Sequence, residues 1–405
     1  MWQKTKNYYH FLSAILANLL YGIPSRNLIV VGVTGTDGKT TTVSLIYHIL
    51  KTSKLNVSMI SSIGAIINGK KYPLPFHVTT PSSFALQKFL KITSKSKSPR
   101  SKNFLILEVT SHALDQFRAW GINFNVGVLT NITHEHLDYH KSYENYVMIK
   151  AKLLKIAKTA VINMDDESYK MIRKMIPYHK LVTYGFKNAM VNIGDINYKH
   201  NLIGDFNKYN ILAAVGACRA LGIPENDIKN GIETFLLPAG RQEIVYKEGF
   251  EIMIDFAHTP NSFEKILVPL REKVMGRIIH VFGSAGERDA SKRPKMGKIS
   301  AKYSDIMILT AEDPRSEPSE NIIKDIESEI INREAKIKNG EIKEIHDRQE
   351  AISHAISLAQ RGDLILITGK AHEKSMNYGN GEIAWDEYEA VKRALTLRKL
   401  PDGKN

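Results

Sequence analysis

The apolar run Leu28-Ile29-Val30-Val31-Gly32-Val33 breaks into Gly35-Thr36-Asp37-Gly38-Lys39-Thr40-Thr41 and resumes as the helix-like stretch Val43 to Leu50. A strand, a glycine turn and a helix that opens on Lys-Thr form a phosphate cradle. The glycines let the backbone approach phosphate oxygens, amides at the helix N-terminus point at the anion, Lys39 adds a point charge and Thr40 offers a hydroxyl to Mg²⁺. Val33 stands where the first glycine of the G-x-x-x-x-G-K-[ST] pattern would be, so the loop is a variant. A nucleoside triphosphate is the ligand expected.

The 405 residues are 43% hydrophobic and 24% charged, a globular composition long enough for two or three cores. The one cysteine, Cys218, excludes a disulfide framework and fits the cytoplasm. The net charge of +14 suits anionic partners. No compact basic motif with interleaved aromatics occurs, so specific nucleic-acid binding is not expected. Lys4 and Lys6 precede an apolar stretch, Tyr8 to Tyr21, that has a signal peptide's outline but no small-residue cleavage site. It is too short to span a bilayer. It reads as a leading helix packed on the next domain, with peripheral membrane or protein contact through residues 8–21 as the second reading.

Further apolar runs at 104–109, 126–130 and 160–163 alternate with helix-like segments, the pattern of a parallel sheet covered on both faces. Thr93 to Ser101 is polar and breaker-rich and is expected to be an exposed loop. A Pro/Gly turn near Leu237-Pro238-Ala239-Gly240 precedes a second alternating set at 252–256, 278–282, 306–310 and 364–368. The expected class is α/β, a central P-loop-type parallel-sheet ATPase domain followed by a Rossmann-like C-terminal domain. The expected boundaries are a leading helix at 1–27, a central domain at 28–238 and a C-terminal domain at 239–405. Polar residues follow each strand directly, where open parallel sheets place ligands.

Glu108 closes one such strand and His136 follows another, so a carboxylate and imidazoles near the phosphate loop are candidates for Mg²⁺ ligands or their supports. Capping of strand ends by hydrogen bonds is the alternative for the histidines. In chain order, Gly35 to Thr41, Thr79-Thr80-Pro81, Glu108-Val109-Thr110-Ser111-His112, His136-Leu137-Asp138-Tyr139-His140, Gly240-Arg241, Asp255-Phe256-Ala257-His258-Thr259-Pro260, Gly286-Glu287-Arg288-Asp289, Lys292-Arg293-Pro294, Asp313-Pro314-Arg315 and Gly369-Lys370-Ala371-His372-Glu373 resemble the motifs of the Mur ligases. Within that family the set looks most like the branch that adds the third residue of the peptidoglycan stem peptide.

The resemblance implies an ATP-dependent ligase that forms an acyl phosphate on a UDP-N-acetylmuramoyl-peptide carboxylate and lets an amino-acid amine displace phosphate. Lys39, His136 and Lys150 are the implied catalytic residues. Thr40, Glu108 and His136 would hold Mg²⁺, joined by Lys150 if CO₂ carbamylates it, since a carbamate offers oxygen to a hard metal. Lys152 reads as a solvated neighbour. Asn207 and Arg241 would complete the ATP site. Thr79, Thr80, Thr110, Gln116 and Arg118 match the muramoyl-substrate positions, with Thr110 where the family usually has serine. Arg288, Asp313, Arg315, Gly369 and Glu373 match positions that recognise meso-diaminopimelate. The usual Asp-Asn-Pro-Arg appears here as Glu312-Asp313-Pro314-Arg315, and the Arg315 guanidinium suits a distal carboxylate over the ammonium of lysine.

Only 34 residues precede Gly35, so the family's N-terminal uridine-binding domain is expected to be largely absent. Three readings stay open: the third-residue ligase, acting as a monomer; a related ligase with a lipid-linked murein, polyglutamate or cyanophycin acceptor; and a nucleotide-binding scaffold.

Overall fold

The structure, a computed structural model, describes residues 2–75, 78–95, 102–133, 135, 137–196, 199, 202–331 and 341–399. The chain divides into two compact units, Met1–Leu236 and Leu237–Asn405.

Unit 1 opens with helix α1 (Trp2–Tyr21), strand β1 (Leu28–Thr34), helix α2 (Lys39–Thr52) and strands β2 (Val57–Ser61), β3 (Gly64–Ile67) and β4 (Lys70–Tyr72). It continues with α3 (Ser83–Ser94), β5 (Asn103–Glu108), α4 (Ser111–Asp115), β6 (Phe124–Leu129), α5 (Leu137–His140) and α6 (Tyr143–Ile156). It closes with β7 (Thr159–Asn163), α7 (Tyr169–Arg173), β8 (Leu181–Tyr184), α8 (Asp205–Ala220) and α9 (Glu225–Glu233).

Its eight-stranded sheet runs β4-β3-β2-β5-β1-β6-β7-β8. The pairs from β2 to β8 are parallel, and β3 and β4 add an antiparallel edge. Every residue of β5 is buried, as the unbroken apolar pattern requires of a strand covered on both faces. Register does the functional work. Val33 pairs with Glu108 and Thr34 with Leu129, so the carboxyl ends of β1, β5 and β6 finish side by side. The phosphate loop, Glu108 and Thr130 all emerge at that edge.

Helix α1 packs against α3, and its Phe11 ring meets the rings of Phe117 at 5.1 Å and Trp120 at 5.4 Å. Part of the expected Thr93–Ser101 loop is helical. Thr93 and Ser94 close α3, and the buried Thr93 hydroxyl donates to the Phe89 carbonyl, which lets a polar residue extend the helix. Residues 96–101 lie outside the described residues.

Unit 2 contains β9 (Glu243–Glu248), β10 (Phe250–Asp255), α10 (Pro260–Lys273), β11 (Ile278–Phe282), α11 (Arg293–Tyr303), β12 (Ile306–Leu309) and α12 (Ser319–Ile331). Then come β13 (Glu341–Glu344), α13 (Arg348–Leu358), β14 (Leu364–Thr368), β15 (Ser375–Asn377), β16 (Glu382–Ala384) and α14 (Glu387–Lys399). Its six-stranded sheet runs β13-β12-β11-β14-β10-β9 and is parallel except for the edge strand β9. Apolar clusters cover both faces. Asp255 pairs with Thr368 and Phe282 with Leu309, which aligns the carboxyl ends of four strands.

Candidate active site

In unit 1 the phosphate loop is held ready by its neighbours. Gly38 caps α2 in the left-handed region, with φ 78°, and a side chain there would meet the side-chain Oδ1 of Asn210. The Asp37 amide donates to Asn131 Oδ1, and the Thr130 hydroxyl donates to the Asp37 carbonyl at 2.6 Å. Lys39 Nζ donates to the Thr36 carbonyl at 2.7 Å, which folds the ammonium back over its own loop. Thr36 and Thr41 are buried. Asn207 is also buried, and its side chain accepts from Asn210 Nδ2 and donates to the Ile203 carbonyl. It therefore reaches the loop through Asn210.

Thr40 Oγ1 lies 3.0 and 3.2 Å from the two carboxylate oxygens of buried Glu108. Ser62 closes the group, with its hydroxyl 2.9 Å from Thr40 Oγ1 and its amide donating to Glu108 at 3.1 Å. A buried carboxylate that accepts from a hydroxyl and a backbone amide suits a hard divalent cation, so Thr40 and Glu108 fit Mg²⁺. Among the described residues no group of three or more His, Cys, Asp or Glu converges as a metal cluster. His136 lies outside the described residues.

Lys150, on α6, is fully buried. Its Nζ donates to the Gly35 carbonyl at 2.6 Å and stands 4.4 Å from the Tyr146 ring centroid. Burial, and next to it the charge of Lys39, holds its amine well below the usual lysine range. Lys152, on the same helix, is half-exposed and sits 3.8 Å from Asp115.

Beside Glu108, the buried Thr80 hydroxyl donates to the Glu108 carbonyl and accepts from the Thr110 amide, and Thr110 caps α4 through the Ala113 amide. Arg118 donates to the Thr80 carbonyl and, through two nitrogens, to Gln116 Oε1. Thr79 sits in the bend just before. Four of the five muramoyl-substrate candidates thus share one hydrogen-bonded patch.

In unit 2 the amino-acid candidates gather on two loops at the strand ends. The Lys370 ammonium, fully buried, bridges Asp313 at 2.8 Å and Glu373 at 2.7 Å. Burial opposes that charge, but Glu373 and Asp313 outweigh it and hold the ammonium above its ordinary range. Asp313 also accepts from the Asn377 amide at 2.9 Å. Arg315 donates to the Gly286 carbonyl at 2.9 Å, and Arg288 is exposed. Asp313, Arg315 and Ala371 hold φ of 50°, 55° and 43°, and such strained non-glycine backbone clusters at functional sites.

Gly369, with φ 104°, lies so close to Glu312 that a Cβ would stand 2.3 Å from Glu312 Oε2. Burial pushes the Glu312 carboxyl up to about 8. Arg241 stacks on the Phe256 ring at 4.6 Å and its guanidinium lies 3.4 Å from His372 Nδ1. His280, on β11, is buried between Ser300 and Thr368, and burial lowers it to about 3, so it stays neutral.

Sequence reasoning missed Ser62, Asn131, Asn210, Glu312 and Lys370. Asn131 follows a strand end and Lys370 sits inside a quoted motif, so both carried a local signal. Ser62 and Asn210 carried none, because their roles come from long-range packing.

A strand, phosphate loop and helix coupled to a buried carboxylate in one unit, with a charged two-loop site in the next, define a nucleotide-dependent ligase fold. The chain belongs to the Mur ligase family: residues 33–218 match the Mur ligase middle domain and residues 240–371 the Mur ligase, glutamate ligase domain.

Among curated relatives, a UDP-N-acetylmuramoyl-L-alanyl-D-glutamate--2,6-diaminopimelate ligase of Clostridium botulinum is 36% identical over 404 residues, 94% of this chain and 81% of the relative. A UDP-N-acetylmuramyl-tripeptide synthetase of Borreliella burgdorferi is 36% identical over 95% of this chain and 80% of its own length. A solved UDP-N-acetylmuramoyl-L-alanyl-D-glutamate--2,6-diaminopimelate ligase matches at TM-score 0.60 and 28% identity, over 92% of this chain and 79% of its own. FolC of E. coli, in complex with DHPP and ADP, matches at TM-score 0.70 and 18% identity over 95% of this chain and 92% of its own, a likeness of fold.

Proposed function

We propose that this chain is an ATP-dependent ligase of peptidoglycan precursor synthesis, working in the cytoplasm. It joins the amine of meso-diaminopimelate to a UDP-N-acetylmuramoyl-dipeptide carboxylate through an acyl phosphate. The observation that carries this reading is the convergence of Lys39, Thr40, Glu108 and Lys150 around one loop, in a chain 36% identical to a ligase of that name.

The substrate carboxylate attacks the γ-phosphorus of ATP and ADP leaves. The amine then attacks the acyl carbon, loses a proton, and phosphate departs. Lys39 swings from the Thr36 carbonyl to the phosphates and offsets charge that builds on their oxygens. Thr40 and Glu108 would hold Mg²⁺, which when bound draws negative charge from the phosphoryl oxygens.

Lys150 is the residue for carbamylation. Its amine, held below the usual lysine range, attacks the CO₂ carbon in its neutral form. The nitrogen gives up a proton and the new group carries one negative charge on oxygen. The charge of Lys39, which already acts on the Lys150 amine, would favour that anion. The Arg315 guanidinium recognises the distal carboxylate of diaminopimelate. Asp313, Glu373 and Arg288 line the same site, and Gly369 keeps room beside Glu312. Thr79, Thr80, Thr110, Gln116 and Arg118 receive the muramoyl peptide, and Asn207 and Arg241 serve the nucleotide.

The test is phosphate release from ATP with UDP-N-acetylmuramoyl-L-alanyl-D-glutamate, comparing meso-diaminopimelate, lysine and no amino acid. Turnover that requires meso-diaminopimelate is expected. Turnover without any amino acid, or none at all, overturns the reading.

A further inference from the structure

Charge is spread along this chain very unevenly. Residues 1–107 carry 14 Lys and Arg against one acidic residue, Asp37, while the remaining 298 residues carry 42 against 41. Nearly all of the net +14 therefore belongs to the first quarter of the sequence. Such asymmetry points to an extended anionic partner rather than to solubility in general.

Helix α1 lies within this cationic segment and has no acidic residue. One side is committed to the fold: Ala14 and Ala17 are fully buried, and the Asn18 amide donates to the Trp120 carbonyl at 2.8 Å. The other side carries Tyr8, Tyr9, Leu12, Leu16, Leu19 and Leu20, which are 47% to 70% exposed. Their spacing puts them on one stripe of the helix. Lys88 and Lys91, on the helix α3 that packs against α1, and Lys95 just after it are exposed. Lys91 Nζ sits at the α1 terminus, 3.8 Å from where a Cβ on Gly22 would stand.

Leucines with tyrosines on one face and lysines alongside are the chemistry of a helix lying in the plane of a bilayer surface. Among the described residues no helix is long and apolar enough to cross a membrane. We propose that α1 and the adjoining lysines of α3 form a docking surface for an anionic lipid bilayer. The leucines enter the headgroup and acyl boundary, the tyrosine hydroxyls stay at the interface, and the lysines meet lipid phosphates. A second copy of this chain would set one strongly cationic segment against another, which charge repulsion opposes. A nucleic acid would pair with the lysines but gain little from the leucine stripe.

The test is co-sedimentation of the full chain with phosphatidylcholine vesicles containing or lacking phosphatidylglycerol. Binding is expected with phosphatidylglycerol and should weaken as salt rises from about 50 to about 300 mM. Leu16→Glu with Leu20→Glu should cut the bound fraction by about tenfold, because charged residues cannot enter the apolar boundary. Lys88→Glu with Lys91→Glu should remove most of the preference for phosphatidylglycerol. Both variants should keep the helical circular dichroism and the phosphate release of the parent. Failure to sediment at low salt overturns the proposal, as does binding that survives Leu16→Glu with Leu20→Glu. A dimer that those two substitutions dissociate assigns the stripe to a second copy, and binding of single- or double-stranded DNA insensitive to them assigns the charge to nucleic acid; either outcome also overturns it.

Discussion

Replacing Lys370 by methionine removes the ammonium that bridges Asp313 at 2.8 Å and Glu373 at 2.7 Å, while nearly preserving volume. Two carboxylates are then left facing each other, Asp313 almost fully buried and Glu373 partly so. Breaking a buried ion pair by removing one partner costs about 3–5 kcal/mol. At about 2–4 °C per kcal/mol for a domain of this size, the unfolding midpoint of unit 2 should fall by about 10 °C.

The partner substitution sharpens the test. Asp313→Asn keeps an oxygen for the Asn377 amide and tolerates the left-handed backbone at this position, where Asp313 has φ 50°. Alone, however, it turns an amide NH₂ toward the Lys370 ammonium. In the double variant that NH₂ faces Glu373 with no cation between them. The double variant should therefore be more stable than the sum of the single losses predicts, by about 2 kcal/mol. The assays are a thermal and denaturant double-mutant cycle together with KM for the amino acid, which should rise in Lys370→Met more than kcat falls. Since the folded Lys370 lies above its ordinary 10.5, its contribution persists at all lower pH and is lost only in alkali. A Lys370→Met midpoint within about 1 °C of the parent, or strictly additive losses, would refute the reasoning.

Glu108→Gln keeps the shape and hydrogen-bonding capacity at Thr40 and Ser62 but removes the anion, so ADP formation should fall by about 100-fold or more with the unfolding midpoint little changed. Lys150→Arg cannot be carbamylated. Bicarbonate should stimulate the parent and not the variant, and carbon-13 carbonate should give a carbamate resonance in the parent only. Glu312 has a folded value near 8 against an ordinary 4.5, so the associated stability is intact below 4.5 and is lost as pH rises toward 8. Glu312→Gln should flatten that slope, worth of the order of a few kcal/mol between pH 5 and 8, in urea titrations at each pH.

Much of the fold was legible because its strands are locally declared. The unbroken apolar runs at 28–33, 104–107 and 364–367 can be stable only as strands covered on both faces, and the glycine turn at 35–38 can be little else between a strand and a helix. The antiparallel edges β3, β4 and β9 were not legible, since short half-exposed strands carry a weak pattern. Nor was the helical end of α3, where one buried hydroxyl turns a polar segment into its last turn.

The chain by itself determined that it carries a phosphate-binding loop and a strand ending in Glu108, and that polar motifs follow the strands of a second alternating set. Periodicity and turn chemistry act over a few residues, so they can be read in order. Only the tertiary structure decided which of those residues face one another. The Lys370 pair spans 57 positions, the Lys150 contact with Gly35 spans 115, and the Asn210 contact that seats Gly38 comes from a helix at the far end of the unit. Burial and the shifted titration of Lys150 and Glu312 exist only once packing has removed water, and no local pattern records that.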